Sequence, residues 1–320
     1  MQTTYDAIVI GAGHNGLCLA AYPARAGLQP AVIERRHEEG GGANTEDPVA
    51  PGFRFNMHAN YMEFFDIMPM VKDFDLENSG LRSMTPENQA GIAFSDGRPP
   101  IVLHRKDLLD KTHASISRYS KADADMYVEI QKRTMDFGPL MGFGMYTPPM
   151  TGMEEGQAAM LDMLYGDMGI KGSDATKTPK VMIDELYESD EMRALMYRVS
   201  VEFGVGIDTG GFGGMILTGL PWMIGCWRIA KGGTHTLAKA MSQACYAHGV
   251  DLIENTEVDK IIVEDNRAVG VIARGKEFRA TKCIATNADP KQTLIRQVGE
   301  EHPPAQWLSL MQISEPTRPN

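Results

Sequence analysis

The stretch that decides the fold is Tyr5–Arg36, YDAIVIGAGHNGLCLAAYPARAGLQPAVIERR. Ala7-Ile8-Val9-Ile10 is a short apolar, β-branched run, the pattern of a buried parallel strand. Gly11, Gly13 and Gly16 follow in G-x-G-x-x-G spacing. The first glycine permits a tight turn, the second lets backbone amides approach a pyrophosphate, and the third lets the next helix pack close to the strand. His14 and Asn15 fill the remaining turn positions. The amino end of that helix offers free N–H groups and a partial positive charge to phosphates. Small residues at Ala20 and Gly27 are expected on the face where helix and sheet touch. Pro23 falls inside the helix and predicts a kink or an early end. A second strand, Ala31-Val32-Ile33, ends in Glu34, whose carboxylate can accept hydrogen bonds from a ribose diol. Its charge disfavours a 2′-phosphate, so the pattern reads as a site for FAD or NAD rather than NADP.

Working outward, 320 residues allow about two domains, each with a core. A net charge of -11 excludes nucleic acid as the expected partner. The eight histidines are scattered, with no metal-ligand spacing. Cys18, Cys226, Cys245 and Cys283 lie far apart and read as free thiols in a reducing compartment. Met1 runs straight into the first strand, so the cytoplasm is the expected location.

Beyond Glu34, Arg35 begins the segment RRHEEGGGANTEDPVAPGFRF, in which Gly40, Gly41 and Gly42 permit close approach of backbone to a ligand. Helices are predicted from Asp107 to about Tyr119, from Ser120 (as N-cap) to about Phe137, and over about Lys180–Glu188, with Ser189 capping the next. Residues 138–157 read as a mobile loop. The methionines there, among them Met141, Met145, Met150 and Met153, suit either an irregular apolar ligand or an ordinary core. Thr209–Trp227 is uncharged over 19 residues but carries six glycines and Pro221. It is read as a membrane span, as a lipophilic lining or membrane-surface patch, or as a buried glycine-rich loop and strand. A further helix starts near Gly233 or Thr234 and ends before Gly249. Strands follow at Val250–Ile253, Glu257–Val263, Ala268–Ala273, Glu277–Ala280 and Cys283–Thr286. They would extend the sheet that Ala7–Ile10 begins. The expected organisation is α/β: a Rossmann-type domain with parallel sheet and β-meander from residues 1–68 and 228–290, and an inserted, mostly helical substrate domain over 69–227.

The segments DAIVIGAGHNGL, ERRHEEGGGANTEDPVAPGFRF, ASISRYSKADADMY, IAKGGTHTLAKAM and VDKIIVEDNRAVGV…ATNADP occur here in the order seen in a known family. By these the chain resembles the phytoene desaturase-like FAD-dependent oxidoreductases, most closely the pyridine nucleotide-disulfide oxidoreductase domain-containing protein 2 branch. The resemblance implies FAD, with Gly11, Gly13 and Gly16 at the pyrophosphate and Glu34 at the adenosine ribose. It puts Gly41 and Gly42 toward the flavin and Val258, through its backbone, at the adenine. It further implies a lipophilic, unsaturated or saturable carbon substrate. Gly42 stands where many relatives have Arg, and Asn56 and His58 replace an acid and a glycine. His58 is the one candidate for a proton relay, against the alternative of a hydrogen-bonded structural histidine. Relatives continue well past this length, so residues 291–320 read as the start of an incomplete return segment, and self-association or contact with a membrane surface is expected. A flavin-binding scaffold without turnover and an NAD-dependent dehydrogenase are the competing readings.

Overall fold

The computed structural model describes residues 2–63, 65–135, 146, 153–304 and 306–307. Met141, Met145, Met150, Phe137 and most of the expected loop at 138–157 lie outside them. So does the carboxyl-terminal tail beyond residue 307. The chain divides into two compact units, one of residues 1–61, 69–83 and 230–320, the other of 62–68 and 84–229. Residues 69–83, expected in the inserted domain, thus pack with the first unit, as do the described residues after 290.

The first unit is built on a six-stranded sheet. Its strands are β1 (Thr4–Ile10), β2 (Pro30–Ile33), β3 (Asp251–Ile253), β4 (Val258–Glu264), β5 (Arg267–Ala273) and β6 (Lys276–Thr286), in the order β4-β5-β6-β1-β2-β3. β1 pairs in parallel with β2, from Ala7 opposite Pro30 to Ile10 opposite Ile33, and β2 in parallel with β3. Pro30 takes the first place of its strand, where its missing N–H does least harm. The expected strands at Glu277–Ala280 and Cys283–Thr286 are one continuous strand. Its first residues pair antiparallel with β5, and from Arg279 onward it runs parallel to β1. One strand therefore ends the meander and begins the parallel half of the sheet.

Helix α1 (His14–Arg25) returns the chain from β1 to β2. Its buried Gly16, Leu17, Ala20, Ala21 and Ala24 recur at helical spacing, as a helix packed on a sheet demands. Pro23 does not stop it at once. The helix ends two residues later, where the Ala26 N–H is shared between the Tyr22 and Pro23 carbonyls. Gly27 is exposed beyond the helix end at φ +89°, so it serves the turn rather than the packed face. Helix α2 (His235–Ala247) leads into β3, close to the expected span. The Cys245 thiol on α2 donates to the Leu17 carbonyl on α1 at 3.3 Å.

The second unit is mostly helical, and Asn88–Ile92 pairs antiparallel with Ile101–His104 in it. The segments expected to be helical are so, at Leu109–Ile116, Lys121–Thr134, Pro179–Leu186 and Asp190–Glu202. Ser120 and Ser189 cap two of them, accepting from the Asp123 and Met192 amides. Buried Asp123 accepts in turn from the Glu188 and Ser189 amides at 2.8 and 3.0 Å, which ties the two caps together. Thr209–Trp227 is neither a span nor a strand. It forms two short buried helices, Gly213–Leu217 and Gly219–Ile224, in the core that also contains Tyr127, Tyr165 and Leu195. No helix among the described residues is long and apolar enough to cross a membrane.

A candidate dinucleotide cleft

The carboxyl end of a parallel sheet, where β1 turns into α1, is where such folds place ligands. Here that edge opens into a cleft of about 570 Å³, wholly within the first unit. Gly11, Gly13, His14 and Asn15 line it from the turn, and Glu34, Arg35 and Arg36 from the end of β2. Gly41, Gly42 and His58 line it from the following loop, and Thr256, Glu257 and Val258 from the start of β4. The sequence-derived candidates therefore converge on one cavity, except Gly16, which is buried behind it.

The glycines differ in what they make room for. Gly11 has φ +94°, a conformation costly to a side chain. A Cβ on Gly16 would penetrate the Gly11 carbonyl oxygen and lie 3.5 Å from Val9 Cγ1, so this residue sets how closely α1 approaches β1. A Cβ on Gly13 would meet Asn287 Nδ2 at 2.7 Å, inside the cleft. Gly41 lies at φ +58° with its would-be Cβ 3.2 Å from Gly13 Cα, so the two glycine loops touch backbone to backbone. Gly13 is also the helix N-cap and has no side chain to cap with, and the first turn of α1 carries no acid. The positive end of the helix is left to whatever enters the cleft.

Glu34 is only 7% exposed. One carboxylate oxygen accepts from the Ala12 amide at 2.7 Å and the other from the Arg36 amide at 2.8 Å. These bonds fix the carboxylate in the turn region while each oxygen keeps a lone pair. Arg36 is drawn off to Glu46 at 2.5 Å, whereas exposed Arg35 has no ion-pair partner among the described residues. His14 faces the cleft with its pKa held below the usual imidazole value by desolvation from the surrounding protein. His58 is exposed, and its ring has no hydrogen-bond partner among the described residues, unlike a structural histidine. Asn56 does have a task. Its Oδ1 accepts from the Thr45 hydroxyl at 2.9 Å and the Thr234 amide at 3.0 Å, joining the glycine loop to the start of α2.

Among the lining residues that sequence reasoning missed are Asn287, Asp289, Gln292 and Gln297. Asn287 follows β6, and its amide donates to the Ile10 carbonyl at 2.8 Å, carrying the parallel pairing one residue past the strand. Its position at the carboxyl edge of a strand beside β1 was the available signal. Gln297 donates from Nε2 to the Val258 carbonyl at 2.9 Å. Val258, expected to meet the adenine through its backbone, thus lines the cleft, and its carbonyl has a lone pair beyond the one Gln297 takes.

Residues 9–74 match the model of the NAD(P)-binding Rossmann-like domain family. One of the limonene dehydrogenase subunits of Castellaniella defragrans is 33% identical over 92% of this chain and 54% of its own length. Pyridine nucleotide-disulfide oxidoreductase domain-containing protein 2 of Rattus norvegicus is 28% identical over 96% of this chain and 56% of its own. A shorter match, 38% identical over 24% of this chain and 15% of the relative, is to a neurosporene-forming phytoene desaturase of Cereibacter sphaeroides. The chain thus spans about half the length of the first two relatives. Among solved structures, the PF1083 protein of Pyrococcus furiosus shares the fold, with TM-score 0.61 and 16% identity over 97% of this chain and 65% of that one. Motif order, sheet topology, cleft and relatives agree: the chain carries an NAD(P)-binding Rossmann-like domain and is similar, over about half of their length, to FAD-dependent oxidoreductases of the phytoene desaturase-like kind.

Proposed function

We propose that this cleft holds FAD and that the protein oxidises or reduces a lipophilic carbon skeleton by hydride transfer. The observation that carries the reading is the joining, in one cavity, of an uncapped helix start, a fixed acid at the end of β2 and the Val258 strand start. The donors fit the cofactor: free amide positions for a pyrophosphate, a carboxylate with spare lone pairs for a ribose, and two glycines that admit a flat ring closely. Bound FAD would supply the hydride chemistry at its N5 position. Gly13, His14 and Asn15 would bind the pyrophosphate, and Glu34 would orient the ribose, with Arg35 offsetting local negative charge. Gly41 and Gly42 would lie toward the flavin ring, and His58 is the candidate to hold or release a proton there.

The relatives named as a limonene dehydrogenase and a phytoene desaturase support a hydrocarbon-like substrate. Exposed Val49, Phe53 and Phe55, beside Arg54, support peripheral contact with a membrane surface or with a second copy of the chain. Purified protein should absorb in the visible and bind FAD, and a lipophilic alkene or alkane substrate should bleach it without oxygen. Gly13→Val should leave the protein folded, because the atom it meets is the mobile end of a side chain, but lower FAD affinity at least tenfold, about 1.4 kcal/mol. Undiminished flavin binding in that variant would refute the assignment of the turn. FAD binding with no bleaching by any such substrate would leave a flavin scaffold instead of an enzyme.

A further inference from the structure

We infer that Gln297 reads the base of the dinucleotide, its side-chain oxygen accepting a hydrogen bond from the 6-amino group of adenine. The inference rests on the FAD reading above and deepens it. Gln297 lies on a π-helical turn, Gln292–Val298, packed against β4, and is 4% exposed. Its Nε2 donates to the Val258 carbonyl at 2.9 Å. A carbonyl can only accept, so this bond fixes which end of the amide is nitrogen. The other end, Oε1, is buried and has no hydrogen-bond partner among the described residues. A buried amide oxygen left unmatched is costly, and native structures rarely keep one without a reason.

Gln297 and Val258 both line the cleft, next to Thr256 and Glu257. The unmatched group is an acceptor, so it calls for a ligand that presents a donor at this wall. The adenosine half of FAD has two kinds of donor. Its ribose hydroxyls are matched by the Glu34 carboxyl group, which leaves the 6-amino group for Gln297. The same geometry excludes bases with a carbonyl at that position, since two acceptors would then oppose each other in a buried site. Gln297 is thus a specificity-determining residue.

The test compares FAD with its hypoxanthine analogue, in which a carbonyl replaces the 6-amino group, on the 320-residue chain by flavin fluorescence titration. The wild type should bind the analogue about ten- to a hundredfold more weakly. Gln297→Met, of similar length without donor or acceptor, should bind the two dinucleotides within about threefold of each other, as the loss of that one hydrogen bond implies. Equal binding by the wild type, or discrimination kept by Gln297→Met, would overturn the inference. If Gln297→Met melts before it can be titrated, the wild type is tested with the analogue whose purine carries only hydrogen at position 6. That ligand lacks the donor without adding a repelling carbonyl, and at least tenfold weaker binding is still expected, with equal binding overturning the inference. Failure of the wild type to bind FAD at all would instead overturn the cofactor reading on which this one rests.

Discussion

Residues 11–16 hold three glycines and residues 209–227 hold six, and it is the first segment that lines the cleft. In the turn, Gly13 and Gly41 meet backbone to backbone, and a side chain on Gly13 would enter the cleft against the Asn287 amide. In the second segment a Cβ on Gly213 would penetrate the Asp174 carbonyl oxygen and come within 3.0 Å of Met182 Cγ. There glycine lets two short helices sink into an apolar core. Absence of a side chain therefore has two uses, and what lies across the gap tells them apart: the mobile Asn287 amide and the open cleft at Gly13, fixed backbone at Gly16 and Gly213.

Substitutions separate the two uses of glycine. Gly16→Val should have the largest effect, because the fixed Gly11 carbonyl stands in its path. A loss of about 3 kcal/mol or more is expected in denaturant unfolding. A stable Gly16→Val protein would show that the turn can shift. Gly213→Ala should destabilise by about 1–3 kcal/mol for the same reason, while FAD affinity per folded molecule stays unchanged. Loss of affinity in that variant would mean that the second glycine segment is not merely structural.

Glu34→Ala should weaken FAD binding by about 1–3 kcal/mol, the range for hydrogen bonds to a charged group, and an unchanged dissociation constant in a flavin titration would remove Glu34 from the site. The smallest effect concerns pH. Folding depresses the His14 pKa, so the neutral ring is the form the folded protein favours. Stability should be full above the ordinary value of about 6.5 and fall as pH drops through it, because the unfolded chain then binds the proton more readily. Paired melting curves of wild type and His14→Gln should show that acid-side loss only in the former. FAD should shrink it, since a pyrophosphate favours the charged ring.

How much of this was legible depends on how local the determining contacts are. Strand, glycine turn, helix and Glu34 lie within thirty positions of each other and were readable as a pattern. So were the turns of the meander, where Asp265, Asn266 and Arg274 adopt positive φ beside Gly275. The unity of β6 was not. Thr281 and Lys282 are exposed and polar, and a strand that changes partners midway has no single alternation to display. Nor were the helices at 213–224, whose glycines argue against helix until burial among Tyr127, Tyr165 and Leu195 overrides propensity. Gln297 has no local signature at all, because its meaning comes from a carbonyl 39 positions earlier. Val258, expected to meet adenine through its backbone, does line the cleft, and its carbonyl also accepts from Gln297.

The double pairing of β6 bears on how the chain comes to be folded. Thr4 sits opposite Arg279 and Ile10 opposite Thr286. A ribosome delivers β1 first and β6 more than 270 positions later. Until then β1 has only β2 beside it, one flank stands open, and the meander has nothing to join. Pairings so distant in sequence are slow to close, and an unpaired parallel edge is a hazard while it waits. The second unit, whose residues all precede 230, can collapse on its own core in the meantime. β1, made well before β6, is thus among the last strands to be completed, and the cleft it begins can form only once Asn287 has arrived.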